Sequence, residues 1–553
     1  MALFIKSSFF YLLYFLLNGS LLAQGSILLI GGGNDRKVWA DDPFRWFVMK
    51  ADSGKIINID VDEVATSYAS TFIHFGADSS STSLRIATTT QANDTAVYNQ
   101  LRSAKGIWIE GGDQYDYVRV WDGTLVEEAM EAVFQNGGVI GGTSAGCAVM
   151  GMVDFDAKFG SSHPEDAALN AYHSDIHLSD TFLPFIPNAI TDTHFHSRGR
   201  LGRLVPMLAR RIQDHGEMGI TGIGVADNTA LCIEADLTAI CYGEATVTIL
   251  YRSDQSDILC ESGNPVRFTH IMFDQLIHGS RYDLQKHALL EAGPGLNPVL
   301  EIPDPPDFKN SSLSGSHSGV ADSGEVVITG ITDGDLAAWY GNLGQRPGNG
   351  TVPHAVLMTQ LWENTDFFEN RWVGGMYGIA THPGFIAYYL DTVSEISITD
   401  SNYLHVKGLA YLLDSRTATF IGFPSGKQTN YPGMIGATLH FLSDGDSLRL
   451  INEQSAIQNQ KQSFIPRQII LHPNYPNPFN STTHFQYQLG CSGMTRLDVL
   501  NMKGELVENL VNRYHRMGSY ETYWCPEHIA SGVFLLRLCQ KESMAVQKLC
   551  FLK

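Results

Sequence analysis

The sequence predicts an α/β protein: a three-layer, mostly parallel sheet in residues 24–284, a second α/β or α+β domain in 325–450, and a C-terminal β-sandwich in 470–553. Three observations predict it. Short apolar runs alternate with helical stretches through the first half, the pattern of crossover units that build a parallel sheet with helices on both faces. Glycine-rich turns follow several of those runs, where the carboxyl ends of the strands would gather ligands. Near the C-terminus the pattern changes to short alternating strands between polar turns.

Length and composition set the frame. A chain of 553 residues is too long for one core and suggests roughly three or four domains. With 44% hydrophobic and 17% charged residues it is globular, and a formal net charge of -21 leaves no broad phosphate-neutralising surface, which argues against nucleic acid as a partner. At the N-terminus, Lys6 precedes the apolar run Phe9 to Leu17, and Leu21-Leu22-Ala23 leads to Gln24. This is the pattern of a secretory signal peptide over 1–23. The run is short for a bilayer span, and no later segment is long and apolar enough for one, so the expected product is secreted or at the cell surface, with no permanent membrane span. The eight cysteines contain no Cys-x-x-Cys pair, and cysteine-based metal binding is not expected.

Ser26 to Ile30 reads as a buried strand running into the turn Gly31-Gly32-Gly33-Asn34-Asp35-Arg36, with a helix around Asp42 to Ala51 beyond it. A dinucleotide-binding reading of that turn fails, because Gly-x-Gly-x-x-Gly would need glycine where Arg36 stands. Ile56 to Ile59 and Ile107 to Ile109 are further strands; Val139-Ile140 leads to Gly142-Thr143-Ser144-Ala145-Gly146. Gly-x-Ser-x-Gly between a strand and the small-residue helical stretch Cys147 to Met150 suits a nucleophile elbow, whose small flanking residues let a strained turn lift the serine hydroxyl above the sheet. The helix behind it would place N–H groups and partial positive charge where an oxyanion forms.

A serine hydroxyl needs an imidazole to take its proton and a carboxylate to orient that imidazole. His194, in Asp192-Thr193-His194-Phe195-His196, is the best base, and Asp227, in Gly222 to Ala230, the best acid. Taken alone, His194 also fits a packed histidine and Asp227 a turn aspartate. Glu110-Gly111-Gly112-Asp113-Gln114 follows another strand and offers close backbone approach and an amide. A metal site is the competing reading: His173 and His177 are four apart, and Asp192, His194 and His196 alternate. It leaves Ser144, Gln114 and the arginines unexplained, so no metal and no cofactor is expected.

The set GGGNDR (Gly31 to Arg36), GGDQ (Gly111 to Gln114), GTSAG (Gly142 to Gly146), DTHFHSRGRLGRL (Asp192 to Leu204) and GIGVADNTA (Gly222 to Ala230) resembles cyanophycinase and the related aspartyl dipeptidases called peptidase E, over roughly Ser26 to Leu284. The resemblance implies a class I glutamine amidotransferase-like fold and a serine exopeptidase. It makes Ser144 the nucleophile, His194 the base and Asp227 the acid, with Gly112 and Ala145 at the oxyanion. The family's acid is a glutamate preceded by aspartate; here those positions hold Ala226 and Asp227, one methylene shorter. His196 stands where serine is usual, and Cys147 where alanine is common. Cyanophycin, multi-L-arginyl-poly-L-aspartate, would be cleaved to β-Asp-Arg dipeptides. By the same resemblance Gln114, Asp192, Arg198, Arg200 and Arg203 line the substrate region, guanidinium forks suiting substrate carboxylates. Helical spacing prevents the three arginines from all pointing one way, so one or two are expected to be structural. The alternatives are an aspartyl dipeptidase acting on short peptides and a degenerate secreted binding protein; a homodimer is left open.

Residues 285–324, rich in Pro, Gly and Ser, read as a linker. In 325–450, Val326 to Ile328, Ala355 to Met358 and Ala418 to Ile421 read as strands, and Gly408 to Ala418 faintly echoes Gly222 to Ala230, as in a degenerate second copy. After the polar linker 451–469, Tyr475-Pro476-Asn477-Pro478-Phe479-Asn480 opens a run of strands with turns at Asn501 to Gly504 and Gly518 to Tyr520, and a late strand from Ala530 to Arg537. This region resembles the C-terminal sorting domain of the type IX secretion system, which implies that secretion machinery as a partner and transport across an outer membrane. The competing reading is a carbohydrate-binding or adhesive module.

Overall fold

The structure is a computed structural model that describes residues 25–295 continuously and, beyond them, 311–314, 325–329, 344–347, most of 354–450 and most of 470–552. The expected signal peptide and the 451–469 linker lie outside the described residues. The chain divides into two compact units, Met1–Asn452 and Glu453–Lys553.

Unit one is multi-domain α/β in character, with mixed sheets. Its first sheet contains five parallel strands, β1 (Ser26–Ile30), β2 (Ile56–Asp60), β3 (Thr82–Arg85), β4 (Gly106–Ile109) and β5 (Val139–Thr143), in the spatial order β1-β5-β4-β2-β3. β1, β2, β4 and β5 are buried along their whole length, as continuous apolar runs in a covered parallel sheet should be. Helices Asp41–Lys50 and Leu125–Gln135 supply buried residues on either side, among them Phe44 and Phe47 of the first and Met130 and Val133 of the second. Beyond β1, Thr229–Ile233, Thr238–Gly243, Arg281–Asp283 and Ala288–Glu291 add antiparallel strands. The last of these falls inside the stretch expected to be a linker, where Leu289 faces Tyr282 across the ladder.

The catalytic-type motifs are not all on that sheet. Gly151–Phe155, Ile186–Asp192, Thr221–Val225, Val247–Arg252 and Arg267–Leu276 belong to a second, 14-stranded sheet. Residues 325–450 join it: Arg267–Leu276 pairs antiparallel with Gly433–Leu442, in a register that includes Ile271 against Leu439 and Phe273 against Ala437. Ala355–Thr359 and Ile386–Leu390 lie parallel, separated in sequence by helix Trp372–Thr381, and Ala410–Asp414 completes the path to Gly433–Leu442. One core therefore contains Val153, Phe195 and Leu204 together with Trp372, Tyr389 and Leu439. Each such side chain contributes roughly 1.5–3 kcal/mol on full burial. Sequence patterning finds these strands but not their partners, because pairing depends on register across more than a hundred residues of intervening chain.

Unit two has two antiparallel sheets. Ile470–Leu471, Thr483–Leu489 and Gly518–Trp524 form one; Leu506–His515, Gly493–Asn501, Gly532–Gln540 and Ser543–Phe551 form the other. Gly518 to Tyr520, expected as a turn, begins a strand that pairs residue by residue with Thr483–Leu489. Alternate side chains of both sheets, including Phe485, Tyr487, Leu497, Val499, Leu536 and Leu549, meet in one core. Phe479 of the Pro-rich motif is buried against Trp524 and Phe551, and Asn477 bonds the last strand through Lys548 O at 3.2 Å and Cys550 N at 2.9 Å. Among the described residues no helix is long and apolar enough to cross a membrane.

Candidate active site

Five strand ends meet at one place. β1, β4 and β5 arrive from the first sheet, Ile186–Asp192 and Thr221–Val225 from the second. The turn after β1 ties them together through three successive carbonyls. Ile30 O accepts from Ser144 N at 2.9 Å, Gly31 O from His194 N at 2.7 Å, and Gly32 O from Asn228 N at 3.0 Å.

The side chains held there form a connected chain. Ser144 Oγ lies 2.8 Å from His194 Nε2, and His194 Nδ1 lies 2.6 Å from Asp227 Oδ1. With Asp227 ionised, Nδ1 is the donor and Nε2 is left to accept from the serine hydroxyl. The other Asp227 oxygen accepts from Ser197 Oγ. Ser144 has φ 50° and ψ −112°, a strained conformation of the sort that persists only where the surroundings enforce it. Its neighbours leave no room for larger residues: a Cβ on Gly142 would meet Gly146 C at 2.6 Å, and one on Gly146 would meet Ile109 O at 2.3 Å. The helix that follows is a single turn, Ala145–Ala148, two residues earlier than the expected Cys147 to Met150, because the chain enters strand Gly151–Phe155 almost at once. One turn carries little macrodipole, so any oxyanion stabilisation comes from individual N–H groups. Gly112 is exposed, Ala145 is the residue after the serine, and a Cβ on Gly111 would come within 3.2 Å of Ser144 Cβ.

Burial and charge set the protonation states. Burial lowers the pKa of His194 below its ordinary value, against the bond and charge of Asp227, which raise it. Burial works against the Asp227 carboxylate, but the bond and charge of His194, the Ser197 hydroxyl and Arg198 outweigh it and hold its pKa low. The resting pair is thus carboxylate and neutral imidazole, the form that can accept a proton.

The expected substrate residues separate into two groups. Asp192, Arg200 and Arg203 are buried and bonded to one another: Asp192 Oδ2 accepts from Arg203 Nε at 2.8 Å, and Oδ1 accepts from Arg203 Nη2 at 2.6 Å and Arg200 Nη1 at 3.2 Å. The family resemblance expects all three in the substrate region; here their charged ends are engaged with one another. Burial opposes the Asp192 charge, but the two guanidinium groups outweigh it and hold the carboxyl low. Their task in the fold is to lock strand Ile186–Asp192 to helix Leu201–His215, directly under the His194 turn. Arg198 and Gln114 remain half-buried at the site; Gln114 Nε2 donates to Phe155 O at 3.3 Å. Cys147 is fully buried behind the elbow, and burial pushes its thiol pKa up.

Sequence reasoning missed the purpose of Gly31-Gly32-Gly33. Gly32 has φ +111°, and a Cβ there would lie 2.3 Å from His194 Cε1, so the imidazole rests on bare backbone. Three glycines after a buried strand were the available signal. The residues of the metal reading are dispersed: His177 Nδ1 bonds Asp156 Oδ2 at 2.8 Å, His173 faces Asp175 at 3.6 Å, and Asp192 is spent on arginines. Among the described residues no group of three or more His, Cys, Asp or Glu side chains is arranged to hold a metal ion.

Residues 57–240 match the sequence profile of peptidase family S51. A cyanophycinase from Trichormus variabilis is 27% identical over 278 residues, 48% of this chain and 88% of its own. One from Synechococcus elongatus is 30% identical over 192 residues, 34% of this chain and 55% of its own. The crystal structure of a peptidase from an acI-B1 Actinobacterium shares 17% identity over 47% of this chain and 97% of its own, with a TM-score of 0.32, too low to carry a fold assignment.

Proposed function

We propose, from the premise that the N-terminal domain belongs to peptidase family S51 and is a serine-peptidase-type hydrolase, that this protein cleaves cyanophycin to β-Asp-Arg dipeptides. The observation that carries the reading is the unbroken hydrogen-bond chain from Ser144 through His194 to Asp227. In it, His194 Nε2 takes the hydroxyl proton as Ser144 Oγ attacks the scissile carbonyl. The resulting oxyanion faces the N–H groups of Gly112 and Ala145. His194 then gives its proton to the leaving amine, and a water activated by the same imidazole hydrolyses the acyl-enzyme. Asp227 stays ionised throughout and orients the ring.

The substrate class rests on the cyanophycinases among the matched relatives and on Arg198, the one arginine of its motif not committed to Asp192. A glutamine amidotransferase-like catalytic domain, export through a signal peptide over 1–23 and sorting of 470–553 by the type IX machinery complete the proposal, the last resting on the sequence resemblance of that region to the sorting domain. The catalytic motifs are proposed to lie in 24–284, with 325–450 contributing strands to the same sheet and core.

The test is the purified protein on cyanophycin. Release of β-Asp-Arg, abolished by Ser144→Ala with unchanged circular dichroism, supports the reading. Cleavage of α-aspartyl dipeptides but not the polymer would replace it with an aspartyl dipeptidase. Neither activity, with no labelling of Ser144 by a serine-directed probe, would leave a degenerate binding protein.

A further inference from the structure

His196 lies two residues beyond the base and one before Ser197, whose hydroxyl bonds Asp227. It is 5% exposed, and its Nε2 lies 2.6 Å from Thr246 Oγ1. Its ring is stacked on Tyr431, with centroids 3.9 Å apart and planes 19° apart. Tyr431 comes from the far part of unit one, outside the residues matched by the S51 profile, and is 1% exposed.

Both flanks of His196 are fixed to the same sheet. Thr246 O accepts from Ala226 N at 3.2 Å, beside Asp227. Pro432 O, next to Tyr431, accepts from Gln275 Nε2 at 2.6 Å, and Gln275 Oε1 accepts from Thr248 Oγ1 at 3.2 Å. The turn they hold needs holding: His194 has φ +43°, a left-handed conformation that a non-glycine residue adopts at a cost of about 1–3 kcal/mol. The family resemblance places serine at 196, too small to reach an aromatic partner. The larger ring here is matched by a tyrosine that only the appended strands bring.

We propose that Tyr431 is a positioning residue of this active site: stacked on His196, it holds the His194–Ser197 turn in the geometry that bonds the base to Ser144 and Asp227. The strands from Ala355 to Leu442 then complete the catalytic unit instead of standing beside it. The proposal rests on His194 being the base.

The experiment reads the rate at which a fluorophosphonate labels Ser144 in the full chain, together with the far-downfield Nδ1–H proton resonance of the His194–Asp227 bond. The wild type must label and show the resonance; failure there overturns the His194 reading and this proposal with it. Tyr431→Phe keeps the stack and is expected to label within about 2-fold of wild type. Tyr431→Leu is expected to label about 10²-fold more slowly, the scale of a remote misplacement by an ångström, and to lose the resonance at temperatures where it is still folded. His196→Ser gives a second route if the leucine variant folds poorly: it removes the other ring of the stack and should slow labelling to a similar degree, with loss of the resonance. A folded Tyr431→Leu or His196→Ser protein with the wild-type rate and resonance would overturn the proposal, as would a phenylalanine variant as slow as leucine.

Discussion

The carboxylate of Asp227 reaches His194 at 2.6 Å with an arm one methylene shorter than the glutamate of the resembled family. The Asp227 turn is held close to the imidazole, with Asn228 N bonded to Gly32 O and the second carboxylate oxygen bonded to Ser197. Restoring the longer side chain should therefore hurt: Asp227→Glu adds about 1.5 Å of reach to a distance already satisfied, and a fall in kcat of about 10- to 10²-fold is expected. Asp227→Asn should cost about 10⁴-fold by favouring the wrong tautomer. The pH profile follows from the burial of His194. The base acts when neutral, and burial depresses its pKa, so the acid limb of kcat/KM should lie below the ordinary imidazole value of about 6.5. Asp227 raises that pKa, so Asp227→Asn should move the limb lower still. Asp154 is a different case. It is fully buried, neither carboxylate oxygen has a hydrogen-bond partner, and burial followed by the charge of Asp156 raises its pKa well above normal. A raised carboxyl pKa stabilises the fold only below the unfolded-state value; the contribution is lost as pH rises toward the folded value. Asp154→Asn should accordingly raise Tm, by more at pH 8 than at pH 5, a difference calorimetry at the two pH values would read.

At the scale of elements, the turn after β1 does more than its length suggests. Gly32→Ala would drive a methyl group into the His194 ring at a φ of +111°, and a loss of about 10² in kcat/KM is expected, with little change in far-UV circular dichroism. Helix Leu201–His215 depends on its buried ion triad: Arg203→Met removes two of the three guanidinium bonds to Asp192, leaving Arg200 alone, and should cost about 3 kcal/mol in denaturant unfolding, so that activity falls with the folded fraction. The local parts of this arrangement are legible in the sequence. Unbroken apolar runs at Ser26, Ile107 and Val139 mark the buried strands, and Gly142-Thr143-Ser144-Ala145-Gly146 marks a sharp turn, since both depend on neighbours along the chain. The uses of Asp192, Arg200 and Arg203 are not legible. A substrate clamp and an internal ion triad need the same residue types, and only the packing of Leu201–His215 on Ile186–Asp192 distinguishes them. Tyr431 is farther out of reach, 235 positions from the ring it covers.

For the whole molecule, the division after Asn452 predicts a clean separation. A chain ending there should keep the thermal midpoint and hydrolytic rate of the full protein. A chain ending near residue 300 should be insoluble or inactive, because it would expose the ten-residue strand Arg267–Leu276, with Phe268, Ile271 and Phe273 on its core face, as an unpaired edge. Expression of both truncations, compared by size exclusion and by Ser144 labelling, checks this. The same seam governs the order of events when the protein is made. Arg267–Leu276 leaves the ribosome more than 150 residues ahead of Gly433–Leu442, the strand that covers it. At about 5–20 residues per second the edge would wait for roughly 8–30 s, far longer than hairpin closure. Maturation is thus paced by the arrival of Gly433–Leu442, and during that interval a holding chaperone would decide between a folded enzyme and an aggregate.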